Sequence, residues 1–379
     1  MEDFIHLHVH TQYSILDGQS RIPRLVDKAI ADGMKGMAIT DHGVMFGIKE
    51  LCDYCAKVNK GRKKEGLEPF KPIIGCEMYV AHRRKEDREK DKGDMSGYHL
   101  IVLAKNYNGY KNLIKLVSNS WVDGYYMRPR TDRADLEKYH EDLIVCSACI
   151  AGEVPRKILN GDIDGAREAC EWYHRVFGDD YYIEIMRHGL KDELSIDDDL
   201  IRIAMETNTK IIATNDAHYL TKNEGFNQKL AIKINTARFD DDIDEGDDTS
   251  ANIPVDERMK KRLLNEFYVK SSEEMLEIFA DIPEAVENTN EIADKCNLEL
   301  KLNNATPPNF KFTRKVANEI GLSLPESENE YSLANDSVLF EKMCRDGLAE
   351  RLKFIDEAKH GEYKARLERE IETIKNMKF

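Results

Sequence analysis

The stretch that determines the predicted fold is FIHLHVHTQYSILDGQSRIPRLVDKAIADGMKGMAITDHG, residues 4–43. It contains a strand-sized apolar run (4–10), an amphipathic helical pattern (22–34) and a second strand-sized run (35–43). A strand, a helix and a strand in succession indicate a βαβ unit, which joins parallel strands. The same alternation continues to about residue 220 and supplies roughly seven strand candidates. The sequence therefore predicts an α/β fold with a mostly parallel sheet, either a closed barrel or a doubly wound open sheet.

Length and composition limit the class of protein. The 379 residues suffice for two or three domains at about 150 residues each, and 41% of them are apolar, enough for a globular core. No window approaches the roughly 18 consecutive apolar residues of a membrane span. The first residues, MEDF, carry acids rather than the basic residues of a secretory signal. We therefore expect a cytoplasmic protein with no membrane partner.

The charge balance restricts how nucleic acid could bind. The chain has 56 Lys and Arg against 71 Asp and Glu, a formal net charge of -15. This excess of acids disfavours nonspecific coating of duplex DNA. It still permits a nucleic-acid substrate that is bound through a local basic patch or through metal ions. The eight cysteines, without a secretory context, are expected to be reduced thiols or metal ligands.

Three histidines recur at every second residue near the N-terminus. His6, His8 and His10 lie in the first strand candidate, where alternate side chains share a face. The pattern predicts that these imidazoles point one way and that at least two converge at a strand end. Such convergence favours a metal site, and the alternative is an ordinary polar strand face.

Further ligand-type side chains follow later strand candidates. In a βα barrel, catalytic side chains lie at the C-terminal ends of the strands. Asp41 and His42 follow the strand candidate GMAIT, and Asp216 and His218 follow KIIAT with a spacing that puts them on one side. The full set of candidate metal ligands is His8, His10, Asp17, His42, Glu77, His99, Cys149, Asp216 and His218.

Nine candidate ligands exceed the three or four that a single zinc ion requires. They indicate several ions that share bridging carboxylates. The mixture of imidazole, carboxylate and one thiolate suits Zn, Mn or Fe and argues against Mg or Ca, which prefer oxygen ligands. Such a cluster favours phosphate-ester hydrolysis, because bound ions acidify water and hold phosphate oxygens.

A short basic and aromatic segment could contact a phosphate chain. It reads YYMRPRTDR, residues 125–133. Aromatic faces stack on bases and guanidinium groups grip phosphates, so this combination is typical of nucleic-acid contacts. We expect Tyr126, Arg128 and Arg130 to bind phosphate or DNA.

The C-terminal third differs in character. The run FDDDIDEGDDTSANIPVD (239–256) predicts a solvated acidic loop, and it lacks the spacing of a calcium-binding loop. SSEEMLEIF (271–279) predicts a capped helix start, and the remainder is nearly all helical. The final pattern (361–379) runs to the last residue without a helix stop, so we expect a piece of a longer protein.

Seven segments, taken in order, resemble one protein family. They are HLHVHTQYSILDG, AITDHG, KPIIGCEMYVA, YHLIVLAKN, GYYMRPRTD, CIAGEVP and ATNDAHYL. Together they resemble the polymerase-and-histidinol-phosphatase (PHP) domain at the N-terminus of bacterial DNA polymerase III alpha subunits of the DnaE type. The resemblance covers about residues 4–272. It implies a distorted seven-stranded (β/α) PHP barrel in residues 1–272 and, in 273–379, a mainly helical segment that belongs to the polymerase palm.

The resemblance also implies a function. It implies a site for three divalent ions, with all nine family ligands matched here, and a metal-dependent 3'-5' exonuclease that proofreads during DNA replication. The catalytic group nearest the nucleophilic water would be His8, His10, Glu77 and Asp216. The implied partners are a DNA primer-template and, through a missing C-terminal part, the sliding clamp and clamp loader. The Asp-x-Asp carboxylates of polymerisation would lie beyond this chain.

Two alternatives remain open. One is a free-standing PHP phosphatase that acts on a small phosphate monoester, although such an enzyme needs neither the helical tail nor the acidic run. The other is a non-catalytic scaffold of the polymerase, for which a broken ligand set would be expected, whereas all nine positions are filled here.

Overall fold

The computed structural model describes residues 4–15, 17–90, 93–236, 266–300, 312–324 and 332–377. The chain divides into two compact units, Met1–Leu300 and Lys301–Phe379. The acidic run predicted as a loop, residues 239–256, lies outside the described residues.

Strands and helices alternate along most of the first unit. Its strands are β1 (Gly36–Ile39), β2 (Lys71–Val80), β3 (Tyr98–Ala104), β4 (Tyr125–Tyr126), β5 (Arg128–Thr131), β6 (Leu143–Cys146), β7 (Tyr181–Ile185) and β8 (Lys210–Ala213). Its helices are α1 (Ile22–Ala31), α2 (Ile48–Lys64), α3 (Tyr107–Val122), α4 (Arg133–Lys138), α5 (Glu153–Leu159), α6 (Ile163–Phe177), α7 (Lys191–Glu206), α8 (Gly225–Thr236), α9 (Ser272–Ile278) and α10 (Pro283–Lys295).

The N-terminal segment, residues 4–10, closes the sheet into a barrel. On one side the Ala38 N–H donates to the His6 carbonyl at 2.8 Å, and on the other the His10 N–H donates to the Ala217 carbonyl at 2.8 Å. The segment thus joins β1 to the chain just beyond β8. Seven chain segments therefore form the ring, in the order 4–10, β1, β2, β3, β6, β7 and β8. The predicted seven-stranded barrel is confirmed, and the open-sheet alternative is wrong.

One strand of the ring is reversed. β3 runs antiparallel to both β2 and β6, whereas the pairs β1–β2, β6–β7 and β7–β8 are parallel. The first residues of β3 consequently lie at the barrel end where the other strands finish, and His99 pairs with Tyr79 near the end of β2. This reversal distorts the barrel but brings His99 to the same end as the side chains that follow the parallel strands.

The helices pack on the outside of the ring through apolar faces. Helix α1 has Pro23 in its first turn. Its apolar face is buried at helical spacing and consists of Ile22, Leu25, Val26 and Ala29. They belong to a large cluster that also contains outward side chains of the strands and the inner faces of α2, α3, α6 and α7. This layer holds the ring in place.

A second apolar cluster fills the barrel. It contains a side chain from every segment of the ring: Ile5, Leu7, Ala38, Ile73, Ile101, Leu103, Ile144, Cys146, Tyr182 and Ile212. Ile292 and Ala293 of α10 belong to the same cluster. Because Lys71, at the start of β2, donates from Nζ to the Ala293 carbonyl at 2.8 Å, α10 lies at the end of the barrel where the parallel strands begin.

A bend at His8 changes which side chains of the N-terminal segment face inward. Leu7 belongs to the cluster inside the barrel, but Val9 belongs to the outer cluster, so strict alternation fails between them. His6 faces away from the other two histidines, and its Nε2 donates to the Lys270 carbonyl at 2.9 Å. The prediction that His6, His8 and His10 share one face is therefore wrong for His6.

The first unit extends past residue 272, the boundary predicted from the sequence. Ser271 caps α9 as predicted: its hydroxyl accepts the Glu274 N–H at 3.2 Å, and the Glu274 carboxylate accepts the Ser271 N–H at 2.7 Å. Because α10 closes the barrel, helices that the sequence assigned to the second domain pack with the first unit. The functional division into 1–272 and 273–379 stays a prediction.

The second unit is helical in its described part, as the sequence predicts for the tail. It contains α11 (Arg314–Glu319), α12 (Leu333–Leu352) and α13 (His360–Met377). Arg345 of α12 pairs with Glu368 of α13 at 2.9 Å. Among the described residues of the whole chain, the helices are too short or too polar to span a bilayer.

Candidate metal centre

The nine candidate ligands selected from the sequence lie together at one end of the barrel. Eight of them form three groups whose ligand atoms lie within 4.8 Å of one another: His10, His42 and His218; His8, His10 and Asp216; and Glu77, His99 and Cys149. The ninth, Asp17, lies 3.2 Å from His42 and 3.8 Å from His218, measured between carboxylate oxygens and ring Nε2 atoms. Two of the groups share His10, and the third contains Glu77, which lies next to His10. The site is therefore continuous.

Strand pairing explains this convergence. The chain after β1 continues beside β2, where His42 forms a bridge with Glu77 and the Glu77 N–H donates to the Asp41 carbonyl at 3.1 Å. Asp216 and Cys149 follow β8 and β6 at the same end. Since the carboxyl ends of parallel strands meet at one edge, these side chains become neighbours although they are distant in sequence.

The innermost ligand atoms have the spacing expected around shared ions. His10 Nε2 lies 3.1 Å from Glu77 Oε2 and 3.1 Å from Asp216 Oδ1, and His8 Nε2 lies 3.2 Å from the same Asp216 oxygen. Zinc–ligand bonds of about 2.0–2.2 Å in a tetrahedron place two ligand atoms roughly 3.3 Å apart. His8 Nε2, His10 Nε2 and both Glu77 carboxylate oxygens are buried, and they face other ligand-type side chains. These residues therefore fit a metal centre.

Glu184 orients the first of these imidazoles. Its carboxylate accepts the Nδ1–H of His8 at 3.0 Å, and this bond turns His8 Nε2 toward the site. The same carboxylate accepts the Ala148 N–H at 2.9 Å and the Thr214 hydroxyl at 2.8 Å. The sequence analysis missed Glu184, although an acid inside the apolar strand YYIEI, two residues after the inward Tyr182, is a signal that could have found it.

Asp41 and Ser14 orient the second imidazole. The Ser14 hydroxyl accepts the Nδ1–H of His10 at 3.0 Å and donates to Asp41 at 2.8 Å. Asp41 also accepts the Thr11 N–H at 2.7 Å and the Thr11 hydroxyl at 2.8 Å. Asp41 therefore supports the candidate ligand His10 rather than joining the cluster. Of the sequence pair Asp41–His42, only His42 belongs to a ligand group.

Electrostatics keep the buried carboxylates ionised. Burial raises the pKa of Glu77, but the imidazoles of His99 and His42 outweigh it and hold this pKa well below the ordinary value. Burial likewise raises the pKa of Asp216, and His8 and His218 bring it well below the ordinary range. Ionised carboxylates are the form that binds metal ions.

His218 is held in the neutral form. Burial lowers its pKa to about 3, with the neighbouring His10 acting in the same direction. Its Nδ1–H donates to the Asp216 carbonyl at 2.7 Å, which leaves Nε2 facing the site. A neutral imidazole with one nitrogen anchored is the state that coordinates a metal ion.

Two residues near the centre adopt left-handed backbone conformations. Ala148, directly before Cys149, has φ of 61°, and Asp216 has φ of 42°. These conformations are unfavourable for residues with a Cβ and are found where the surrounding structure fixes a functional side chain. Here they lie at the ends of β6 and β8 and set the direction of two candidate ligands.

The residues predicted to bind phosphate lie beside the centre but differ in exposure. The β4–β5 hairpin pairs with the end of β2, Tyr79 opposite Arg130. The Arg128 guanidinium lies 5.7 Å from the centre of the Tyr79 ring, and Tyr126 is partly exposed beneath Arg130. Arg130 itself is fully buried and donates to the carbonyls of residues 85, 87, 94 and 124. This burial does not support the predicted phosphate contact of Arg130, which instead supports the chain before β3.

Residues 6–188 match the PHP domain family. Together with the seven-segment ring and the clustered ligand-type side chains, this match shows that the chain contains a PHP domain. The chain is also homologous to DNA polymerase III alpha subunits. The protein from Campylobacter jejuni is 46% identical over 389 residues, which cover 100% of this chain and 30% of the relative.

Two further relatives are also DNA polymerase III alpha subunits. The DNA polymerase III alpha subunit of Helicobacter pylori strain J99 is 41% identical over 392 residues, covering 99% of this chain and 29% of the relative. That of Borreliella burgdorferi is 43% identical over 294 residues, covering 78% and 24%. This chain thus spans about 30% of the length of the curated relatives it matches.

Among solved structures, the chain is similar to a two-domain protein from Bacteroides vulgatus that contains a predicted PHP-like metal-dependent phosphoesterase. The sequence identity is 14%, the TM-score is 0.31, and the similarity covers 57% of this chain and 52% of that one. An amidohydrolase from Chromobacterium violaceum gives 14% identity and a TM-score of 0.27, with 56% and 87% covered.

Proposed function

We propose that this chain carries a metal-dependent phosphoesterase that acts as a 3'-5' exonuclease on DNA. The observation that carries the proposal is the convergence of nine ligand-type side chains whose innermost atoms are buried and face one another. A buried set of imidazoles and carboxylates with this geometry would be costly to leave without cations. The match to the PHP domain family supports the same chemistry.

The proposed cofactors are three divalent ions, Zn, Mn or Fe, one for each group of candidate ligands. When bound, they would supply an activated water and hold the phosphate oxygens. His8, His10, Glu77 and Asp216 would surround that reaction, because their side chains form the buried floor of the centre.

The remaining candidate ligands form a more open rim. The side chains of His42 and His99 are 15% and 23% exposed, whereas those of His10 and Glu77 are 0% and 1% exposed. A substrate therefore approaches from the side of His42 and His99. Arg128 lies on this side, next to Tyr79, where its guanidinium would bind a phosphate oxygen and align the chain for hydrolysis.

The relatives' name extends the proposal to the whole protein. We propose that the chain belongs to the catalytic alpha subunit of a replicative DNA polymerase, a nucleotidyltransferase that works on a primer-template with a sliding clamp and clamp loader. In this proposal residues 1–272 are the proofreading domain and 273–379 begin the palm. Polymerisation would depend on the Asp-x-Asp carboxylates that the family places outside this segment.

A nuclease assay with two substrates tests the proposal. Chelator-treated protein is reloaded with Zn²⁺ or Mn²⁺ and given 5'-labelled single-stranded DNA or a small phosphate monoester. Stepwise release of nucleoside monophosphates from the 3' end is expected, and it should be lost in Asp216→Asn. Asp164→Asn, whose side chain is 90% exposed, is the matched control.

The other outcomes separate the alternatives. Release of inorganic phosphate from the monoester, with intact DNA, would replace the exonuclease by a small-molecule phosphatase. If DNA and the monoester both remain intact while Asp216→Asn only lowers the melting temperature, the domain is a scaffold.

A further inference from the structure

Two stacked aromatic rings are exposed beside the metal centre. Trp121, at the end of α3, and Tyr125, at the start of the β4–β5 hairpin, have ring centres 5.5 Å apart and planes inclined by 18°. They are 45% and 47% exposed, so nearly half of each side chain is accessible to solvent. The pair therefore presents a flat aromatic surface to solvent.

This pair is fixed to the centre by a hydrogen bond. The Trp121 indole N–H donates to the Gly43 carbonyl at 2.7 Å, and Gly43 directly follows the candidate ligand His42. Gly43 has φ of 62°, and a Cβ there would lie 2.7 Å from Pro129 of the hairpin, so glycine is required where the loop meets the hairpin. The ring position is thus coupled to the rim of the metal centre.

The same hairpin also carries a cation, the Arg128 guanidinium. Tyr125 pairs with Pro129 and Tyr126 with Arg128 across Met127, which has a left-handed φ of 61° at the tip. The Tyr79 ring, which Arg128 overlies, is 6.3 Å from the His42 ring, centre to centre. An aromatic surface and a guanidinium thus lie beside one imidazole on the open rim.

We propose that Trp121 and Tyr125 form a stacking surface for the base of the nucleotide whose phosphate enters the centre. This inference rests on the proposed hydrolysis and specifies its substrate: a single-stranded nucleic-acid end with an exposed base. Base–aromatic stacking tolerates every base, as a nuclease that removes successive nucleotides requires. Stacking also binds without adding positive charge, which suits a chain with a net charge of -15.

The two tryptophans of the chain allow a direct test. Trp172 is 7% exposed and covered by the Arg133 guanidinium at 4.5 Å, so Trp121 is the ring that a ligand can reach. The zinc-loaded chain is titrated with a phosphorothioate pentathymidylate, which resists hydrolysis, and with an abasic oligomer of equal length. We expect saturable quenching of fluorescence by the pentathymidylate alone, unchanged in Trp172→Phe.

A kinetic comparison gives the second readout. Trp121→Ala should raise KM for unmodified pentathymidylate roughly tenfold or more, because the substitution removes the contact with the base. It should leave kcat/KM for the abasic oligomer unchanged, because that oligomer has no base to stack. Val122→Ala, at the neighbouring and 79% exposed position, should change neither value. Tyr125→Ala provides the same test if Trp121→Ala does not fold.

The outcomes distinguish this inference from the proposed function. Quenching without hydrolysis would support the stacking surface and contradict the exonuclease. Hydrolysis without quenching, or equal losses on both oligomers in Trp121→Ala, would overturn the stacking surface and leave the exonuclease standing. A Trp121→Ala protein that binds and cleaves both oligomers like wild type would assign these rings to another partner, such as a protein, and also overturn the inference.

Discussion

The two ends of the barrel are built from the same strands but differ in chemistry. At the end where parallel strands begin, Ile292 and Ala293 of α10 pack into the apolar interior, and Lys210 pairs with Glu291 at 2.6 Å. At the other end, buried imidazoles and carboxylates face one another, and the Glu77 carboxylate lies among the imidazoles of His10, His42 and His99. The first end is an ordinary protein core, whereas the second has the side chains of a metal centre, which the proposed cations would stabilise.

Stability and function are therefore assigned to opposite ends of the fold. Apolar burial at the α10 end stabilises the ring without any ligand. The centre at the opposite end concentrates buried charge, which metal ions would compensate, and left-handed backbone, which costs free energy with or without them. Substitutions at the two ends should therefore affect different measurements.

The largest effect is expected at the centre of the metal cluster. His10→Ala removes an imidazole that belongs to two of the three ligand groups, so hydrolysis should fall below detection and bound metal should decrease. Initial rates on labelled DNA and the metal content of the purified variant measure this. Wild-type activity in His10→Ala would refute the site.

The next largest effect is expected from creating a cavity at the α10 end of the barrel. Ile292→Ala removes a fully buried side chain from the barrel interior and should lower the free energy of unfolding by about 2–5 kcal/mol. Urea denaturation monitors the change, with the 78% exposed Met205→Ala as the control. Bound metal per folded molecule should stay at the wild-type value, and its loss would show that the two ends are not independent.

A smaller effect is expected for Glu184, which supports a candidate ligand through a hydrogen bond. Glu184→Gln keeps the volume but weakens the hold on His8 Nδ1, and metal affinity or activity should fall by roughly 10- to 100-fold. Competition with a fluorescent chelator measures the affinity. Glu291→Gln makes the same change at the α10 end, and an equal loss of affinity there would contradict the assignment of Glu184.

The smallest effect is expected for a surface ion pair at the α10 end. The Lys210 and Glu291 side chains are 49% and 32% exposed, so solvent screens their attraction. A double-mutant cycle with Lys210→Ala and Glu291→Ala should give a coupling free energy of about 0.2–1 kcal/mol in denaturation experiments. A coupling of several kcal/mol would mean that this end also relies on charge.

The contrast between the ends also shows what the sequence could predict. Strand-sized runs followed by His42, Asp216 and His218 predicted both the barrel and the clustering, because parallel strands deliver their carboxyl ends to one edge. The reversal of β3 was not predicted, since a short apolar run does not reveal its direction. His99 nevertheless reached the site, because it stands at the start of the reversed strand.

Other features depended on contacts that periodicity does not encode. A bend at His8 interrupts the alternation, so His6 bonds to the distant Lys270 carbonyl instead of joining the centre. Arg130 resembled a phosphate ligand in sequence, but burial turned its donors to backbone carbonyls. Each outcome was decided by long-range packing, which overrides local pattern.

Elemental analysis would show whether the polar end of the barrel is a metal centre. Untagged protein is purified without chelator, incubated with Zn²⁺ or Mn²⁺, freed of unbound ions and compared with His10→Ala. We expect about three equivalents of metal in the wild type and a clear loss in the variant. Less than about one equivalent in the wild type under every condition would contradict it.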